Sequence, residues 1–564
     1  MKRFLFLLLL VFAQPVWSAP MVVSDLRSPV LTHRVDTLAD AQGLVGSSAL
    51  KALRVEGRTV AGDGYAGTFY WLGGNQSANP QVLADTEEGE FIVPTTPGDG
   101  STGVWVRQFS GPLDVRWFGA KGDFDYGTLT GTDNRTALQA ALLMAQRSEG
   151  GKAVLVPGGQ YLIDTGGGTI LIPEGVELFG EGGVQTRVPT VESQATNILI
   201  RGTTNEAFEY ERGTFVRNIR IDYPDQAEDP VAPTTYPACF TKGASSGSRS
   251  FFQNIIFDRT YWAFDSSGAT FWNNVHGTIY RRFIRISDSA ALNNIVDCSN
   301  SAVWHMGALT NTKIFTQENL VFVEVVGGTD GLSLMDCKLL AAKSLLVLNG
   351  GDNLNFFQAS NVLCDGVPNV VVTDGTVQVL SMHFSNCKFG ALNDVGSTFG
   401  NEVFDFNFTR QVSYPNRNIL FSNCEFRNAR RNFFTIDGDG IDVLKFTGCS
   451  FFNWNSEDVN IATYGAIYAN YAELRLTLAG CSFNNKPQLD DTINSSALVI
   501  QSAEAVTLVG NDHADMTYSV RYGASATLTD GTFVGNTGSA LTAGFLKPGT
   551  ETITNEVAAN NNWP

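Results

Sequence analysis

"FSNCKF" at 384–389, "FSNCEF" at 421–426, "FTGCSF" at 446–451 and "LAGCSF" at 478–483 are copies of one six-residue unit. Each runs apolar, any residue, then Asn, Asp or Gly, then small or apolar, any residue, apolar. Looser copies extend the series in both directions: "VRNIRI" at 216–221, "FQNIIF" at 252–257, "LNNIVD" at 292–297, "LMDCKL" at 334–339, "LVGNDH" at 508–513 and "LTDGTF" at 528–533. Taking the third position as a marker gives Asn218, Asn254, Asn274, Asn294, Asn319, Asp336, Asn361, Asn386, Asn423, Gly448, Gly480, Gly510 and Asp530. A short fixed core separated by loops of varying length is the sequence signature of a β-solenoid, one copy per coil.

The marker chemistry supports that reading. Asn and Gly tolerate the left-handed backbone region, so one residue turns the chain sharply between two strands. Stacked coils then bring each Asn side chain over the next, about 4.8 Å away, where the amides hydrogen-bond in a ladder. The residue after the marker and the one two further on, such as Cys387 and Phe389, point inward. Cys337, Cys387, Cys424, Cys449 and Cys481 all follow a marker directly, so they are expected to stack inside as small hydrophobes. Parallel stacking aims neighbouring thiols the same way, which is poor disulfide geometry; a reduced ladder is expected even in an exported chain.

Composition agrees with an all-β chain. Only 17% of residues are charged, and 57 glycines and 38 phenylalanines suit many short strands joined by tight turns. The length of 564 residues exceeds one ordinary globular core, but a stacked repeat reaches it as a single elongated unit. A formal net charge of −18 argues against nucleic acid as a partner, because phosphate binding draws on clustered Lys and Arg.

Lys2 and Arg3, the apolar run Phe4 to Ala13, Pro15 and then small residues follow the plan of a secretory signal peptide cut after Ser18. The chain is therefore expected to be secreted or periplasmic. The apolar run is too short to span a bilayer, which takes about 20 residues, and no membrane insertion is expected after cleavage. Residues 19–29 read as a linker. Residues 30–113 read as a small β-rich module, from alternations such as "GTFYWLG", "GEFIVP" and "GVWVRQF". Residues 114–564 read as the solenoid. Near its start Asp133 or Asn134 is placed to cap a helix carrying Ala137, Leu138, Ala141, Leu142 and Ala145 at helical spacing, and the alternating strand "AVLVPGGQYLI" follows.

With these segments in view, the chain resembles the pectate-lyase-like right-handed parallel β-helix superfamily, which includes the bacteriophage tailspike depolymerases. The residues that carry the resemblance are "VRWFGAKGD" at Val115 to Asp123, "TDNRTALQAAL" beginning at Thr132, and "AVLVPGGQYLI". The resemblance implies a helix capping the first coil, a polysaccharide substrate and a homotrimer. Tailspikes assemble in the host cytoplasm without an export signal, so Lys2 to Ser18 fits a secreted bacterial relative better than a virion tail protein. The chain also departs from the family's catalytic patterns: it has no "GHG" of polygalacturonase type and no "WIDH" of pectate lyases, only "VHG" at His276 and "TIDGDGID" at Thr435.

Coil arithmetic therefore has to find the site. Aligning the strands that precede the markers by about a dozen residues gives an outward polar column of Asp265, Arg285, His305, Glu324, Asn349, Asp374, Asp405, Asp437 and Asn470. Carboxylates on neighbouring coils lie about 5 Å apart and on alternate coils about 10 Å. Those separations approach the retaining and inverting regimes of glycosidases. Asp374, Asp405, Asp437 and Glu324 are the candidate catalytic residues, since crowded carboxylates raise the pKa of one member as a general acid requires. Arg285, His305, Asn349, Asn470, Trp304 and Trp262 are candidate substrate-binding residues: Arg285 for a uronate, His305 also as a base in elimination, the tryptophans as stacking platforms together with Trp272 and Trp454. Asp437, Asp439 and Asp442 lack the full spacing of a calcium loop, so no metal or other cofactor is called for.

The expected function is cleavage of glycosidic bonds in a bacterial exopolysaccharide or surface polysaccharide, by hydrolysis or elimination. The alternatives are a phage tailspike that binds and trims host glycan, and a non-catalytic glycan-binding or adhesive β-helix.

Overall fold

The computed structural model describes residues 32–147, 152–181, 195–226, 233–243, 249–266, 269–286, 295–305, 320–349, 353–373, 378–390, 402–406, 417–429, 431–437, 441–454, 465–485, 496–547 and 552–562. The segment read as a signal peptide lies outside them. The chain divides into two compact units, one of residues up to Val82 with Glu90–Phe109, the other of Leu83–Gly89 with everything from Ser110 onward.

In the first unit five strands form one sheet in the order His33–Val35, Ala52–Val55, Gly67–Gly73, Gly103–Gln108, Phe91–Ile92. The first pair is parallel and the others antiparallel. Its core holds the buried Arg107 guanidinium 4.6 Å from the Tyr65 ring centre and 4.5 Å from that of Phe69. Stacking on two aromatic faces offsets part of the cost of burying that charge.

The second unit is a right-handed parallel β-helix, with 35 strands among the described residues. One coil illustrates the rest. Gln378–Ser385 ends at Asn386, Lys388–Gly390 follows, then Glu402–Asp405, and Asn418–Ser422 begins the next coil directly beside the first strand. Each strand pairs in parallel with its counterpart one coil on, as in Met382 with Ile419, Phe389 with Phe426 and Phe404 with Phe434. Three stacks of strands result, called here the first, second and third in that chain order. Parallel strands joined by crossovers adopt the right-handed path almost without exception.

The turn between the first and second stacks is the recurring left-handed residue. Asn218, Asn254, Asn274, Asp336, Asn361, Asn386, Asn423, Gly448, Gly480 and Gly510 all have φ between 52° and 63°. Two marker assignments need correction. Asn300, at φ 50°, turns the coil that Asn294 was expected to turn, and Gly535, at φ 66°, takes the place of Asp530, which lies inside a strand. In both cases the apolar alternation runs on a few residues past the motif, so pattern alone put the turn too early. Asn294 and Asn319 lie outside the described residues. The amide ladder forms between three pairs of adjacent markers: Asn254 Nδ2 donates to Asn218 Oδ1 at 2.9 Å, Asn274 to Asn254 at 2.8 Å, and Asn361 to Asp336 at 2.6 Å.

Inside, identical side chains stack at the strand spacing of about 4.8 Å. Phe384, Phe421 and Phe446 stack at 4.5 and 5.0 Å between ring centres, and Phe426, Phe451 and Phe483 at 4.8 and 4.6 Å. Each fully buried ring contributes roughly 2–3 kcal/mol from burial alone. All eight cysteines are buried free thiols, as the parallel geometry requires. The position after the marker carries Cys481, then Asn511, Asn536 and Asn561, so a buried amide ladder continues the thiol column: Asn511 Nδ2 donates to Asn536 Oδ1, and Asn536 to Asn561, each at 2.9 Å.

Helix Arg135–Arg147 closes the start of the coil stack, burying Ala137, Leu138, Ala141, Leu142 and Ala145. Asp133 Oδ1 caps it, accepting from Arg135 N at 3.0 Å. Buried Asn134 instead ties the preceding loop, bonding Lys121 through both its N–H and its carbonyl. On the helix, Gln139 bonds the backbone of Leu171 twice, accepting from its N–H at 2.8 Å and donating to its carbonyl at 3.1 Å. A side-chain amide thus stands where the next strand would be.

Two outcomes follow from this interior. All eight thiols are buried and out of a reagent's reach, so native protein at pH 8 is expected to leave them unlabelled by a thiol reagent, and denatured protein to label them all. Labelling of several thiols in the native state would contradict the column. His513 ends the second-stack aromatic column, 5.1 Å from Phe483, and burial pushes it down to about 4. Its neutral form is the stable one, so its contribution is complete above an unfolded value near 6.5 and is lost as pH falls from there toward 4, on the order of 3 kcal/mol. Replacing it, His513→Phe, is expected to flatten the acid side of the stability profile measured by denaturant unfolding between pH 7 and 4.

Candidate functional site

The third stack carries an outward column read directly from strand register: Glu209, Thr241, Asp265, Arg285, Glu324, Val347 and Val372 lie side by side on successive coils. One residue row away, Trp262 pairs with Arg282. Strand Ala269–Ile286 supplies both arginines, and strand Val321–Val325 supplies the glutamate.

These side chains form one cluster. Glu324, 8% exposed, is engaged by the Arg282 guanidinium through both oxygens. It lies 3.7 Å from Arg285 Nε and accepts from Asn349 Nδ2 at 3.3 Å. Arg285 Nη1 is 3.6 Å from Asp265 Oδ2. Both guanidiniums stand over the Trp262 ring, at 5.3 Å for Arg282 and 5.6 Å for Arg285. The indole N–H is used elsewhere, donating to the Phe264 carbonyl at 2.8 Å. The arginines and tryptophan remain half-exposed, so the cluster opens to solvent.

Chemically, two cations hold one carboxylate as a hydrogen-bond acceptor, which is the form a base or nucleophile needs. Asp265 and Glu324 are two coils apart, about 9.6 Å from the strand spacing, near the upper end of the inverting regime.

Of the residues expected from sequence, the structure brings Glu324, Arg285, Asn349 and Trp262 together, with Asp265 beside them. Others lie elsewhere. His305 and Trp304 are not on this column: Trp304 pairs with Leu340 and His305 with Ile279, in the second stack. Both stacks alternate in hydrophobicity, so alternation counted one coil twice. Asp405 follows Val372 in the register of the Glu324 column, three coils on, and sits opposite Thr435; Asp437, two residues after Thr435, is exposed, and burial together with Asp437 pushes the Tyr468 hydroxyl up. Asn470 is two residues beyond Tyr468, half-buried. Asn349, Asp437 and Asn470 therefore form a second row at the strand ends rather than continuing the Glu324 column. Asp374 lies outside the described residues. Trp272 and Trp454 are buried and are core residues rather than sugar platforms.

Arg282 was missed. Its only signal is the doubled arginine of "RRFIRI", and its partner lies 42 residues away. No group of His, Cys, Asp and Glu among the described residues has metal-binding geometry, and no described helix is long and apolar enough to cross a membrane.

No protein-family model and no curated protein matches the chain. Among solved structures, it is similar to the A-module of a mannuronan C-5 epimerase from Azotobacter vinelandii, at 12% identity over 80% of this chain and 99% of that one, with a TM-score of 0.29. It is similar to the catalytic unit of a GH87 alpha-1,3-glucanase from Streptomyces thermodiastaticus, at 10% identity over 82% and 72%, TM-score 0.36. It is also similar to an Acinetobacter phage tailspike protein, at 13% identity over 84% and 70%, TM-score 0.38. The fold itself stands on the strand register of this chain.

The cluster's cohesion is measurable. Arg282→Gln and Glu324→Gln are each expected to lower stability, and the double variant to cost less than their sum by about 1–3 kcal/mol, the range found for residues in direct contact. Strict additivity in denaturant unfolding would mean that the two side chains do not act as a unit.

Proposed function

We propose that this chain is an exported polysaccharide-acting β-helix protein that cleaves glycosidic bonds of a bacterial exopolysaccharide or surface polysaccharide along the outer face of its third stack. The observation that carries the reading is the half-open cluster in which Arg282 and Arg285, both over the Trp262 ring, hold Glu324. An indole face suits the apolar side of a pyranose, and guanidiniums suit the carboxylate of a uronate. Glu324 acts as base or nucleophile, with Asp265 as the partner carboxylate two coils away. Asp405 and Asp437, on later coils of the same stack, are further candidates for the acid, as is Asp374, which lies outside the described residues, with Asn349 and Asn470 as hydrogen-bonding positions for the sugar units. His305 and Trp304, on the second stack, are expected to bind sugar only where a chain wraps onto that side. A homotrimer and a signal cut after Ser18 belong to the same proposal.

A second reading, non-catalytic glycan binding, is favoured by one feature: Glu324 already meets Arg282, Arg285 and Asn349 within the protein. A tailspike role would be recognised by finding the chain in purified virions.

The test incubates purified protein with a panel of bacterial capsular and exopolysaccharides, following reducing ends for hydrolysis and ultraviolet absorbance of unsaturated sugars for elimination. Cleavage of at least one polymer is expected. Glu324→Gln should lower its rate about 100-fold or more, the scale of a lost acid–base group, with an unchanged circular dichroism spectrum. Asn variants of Asp265, Asp374, Asp405 and Asp437 then identify the second carboxylate. Binding without product from any polymer would sink the enzymatic reading in favour of the binder.

A further inference from the structure

The outer face of the first stack has a different character from the cluster above. Beyond residue 200, every large hydrophobic that is exposed among the described residues belongs to strands of this stack: Phe251, Met335, Phe356, Val509 and Val557. At its early end the outward residues are aromatic and in register. Phe215, Phe251 and Phe271 lie side by side on successive coils, and Asp297 and Ser333 continue the row. Phe251 and Phe271 stack with ring centres 4.9 Å apart and planes 14° from parallel, while Phe215 meets Phe251 edge-on at 6.1 Å. Phe251 is 43% exposed.

The next outward row, two residues along each strand, is polar. It runs Arg217, Gln253, Asn273, Ser299. Asn273 Nδ2 donates to Ser299 Oγ at 2.9 Å, which fixes the amide beside the rings. Arg217 is neutralised by Glu177 and lies over the Phe179 ring at 4.5 Å. Asp297 is half-buried, burial raises its carboxyl above the ordinary value, and Ser333 bonds it. An apolar strip of stacked ring edges bordered by amide, hydroxyl and carboxyl groups matches a sugar ring, which has an apolar face and an equatorial rim of hydroxyls. The charge next in register to the rings is a carboxylate, and the neighbouring cation is already paired. A negatively charged polymer would be repelled, so the chemistry selects a neutral sugar.

We propose that this face is a second glycan-binding surface, in which neutral pyranose units lie with their apolar side against the outward edges of Phe251 and Phe271 and are hydrogen-bonded by Gln253, Asn273 and Asp297. The surface is on a different stack from the Glu324 cluster, so it goes beyond the proposed activity and does not depend on it. Aromatic pairs also stabilise sheets across strands, and that role would change stability without changing sugar binding.

The experiment is isothermal titration calorimetry of the full mature chain with cellohexaose, laminarihexaose, maltohexaose and mannohexaose, and with a hexagalacturonate as the charged comparator. Binding of at least one neutral hexaose is expected. The Phe251→Ala/Phe271→Ala variant should weaken it about tenfold or more, and Gln253→Ala, which removes no ring packing, should weaken it severalfold. Glu324→Gln should leave this binding unchanged even where it abolishes cleavage, which separates failure of this proposal from failure of the catalytic one. Three outcomes would overturn it: no neutral hexaose binds; binding is indifferent to the Phe and Gln variants; or sedimentation shows that wild-type protein is an oligomer which the Phe variant dissociates, making the face a contact between protein chains.

Discussion

The structure depends on parallel strands held in register at one strand spacing. Once a left-handed residue turns each coil at the same point, every position along one coil lies above its counterpart on the next. Residues 25 apart in sequence, such as Asp336 and Asn361, become hydrogen-bonded neighbours. The same constraint makes like residues stack: phenylalanines on phenylalanines, thiols on thiols, amides on amides. Stacked apolar rings gain at each step, whereas stacked like charges lose, and the charged rows accordingly alternate in sign, as in Asp265, Arg285 and Glu324.

That alternation explains how a charged cluster coexists with a core of aromatic rings. Glu324 is nearly buried, and a buried carboxylate is costly unless it is paired. Arg282 and Arg285, three residues apart on one strand, reach it together and lean on Trp262. The cluster is thereby positioned by strands rather than by loops, which leaves its geometry little freedom.

How far this was legible in sequence follows from what each signal encodes. The turn motif reports a backbone requirement, so Asn218, Asn386 and Gly448 were identifiable from residue type alone. Cys387 and Phe389 were identifiable as interior from their distance to it. Asn300 and Gly535 were displaced because the hydrophobic alternation continues past the turn. The site was legible only in part. Hydrophobic period two marks an outward residue but not which of three stacks it faces, so His305 was aligned with Glu324 although it belongs to another side of the coil. Arg282 was missed because its role comes from a partner in the next coil, 42 residues on, at a spacing the pattern does not predict.

Gln139 on the capping helix has a consequence for assembly. Strand Ile170–Ile172 would otherwise offer unsatisfied amides and carbonyls to any extended peptide, and a stack of identical coils is the ideal template for endless addition. By supplying one donor and one acceptor to Leu171, Gln139 ends that template with a side chain that has no successor. At Leu171 the edge is thereby closed to the strand pairing through which solenoids can add end to end.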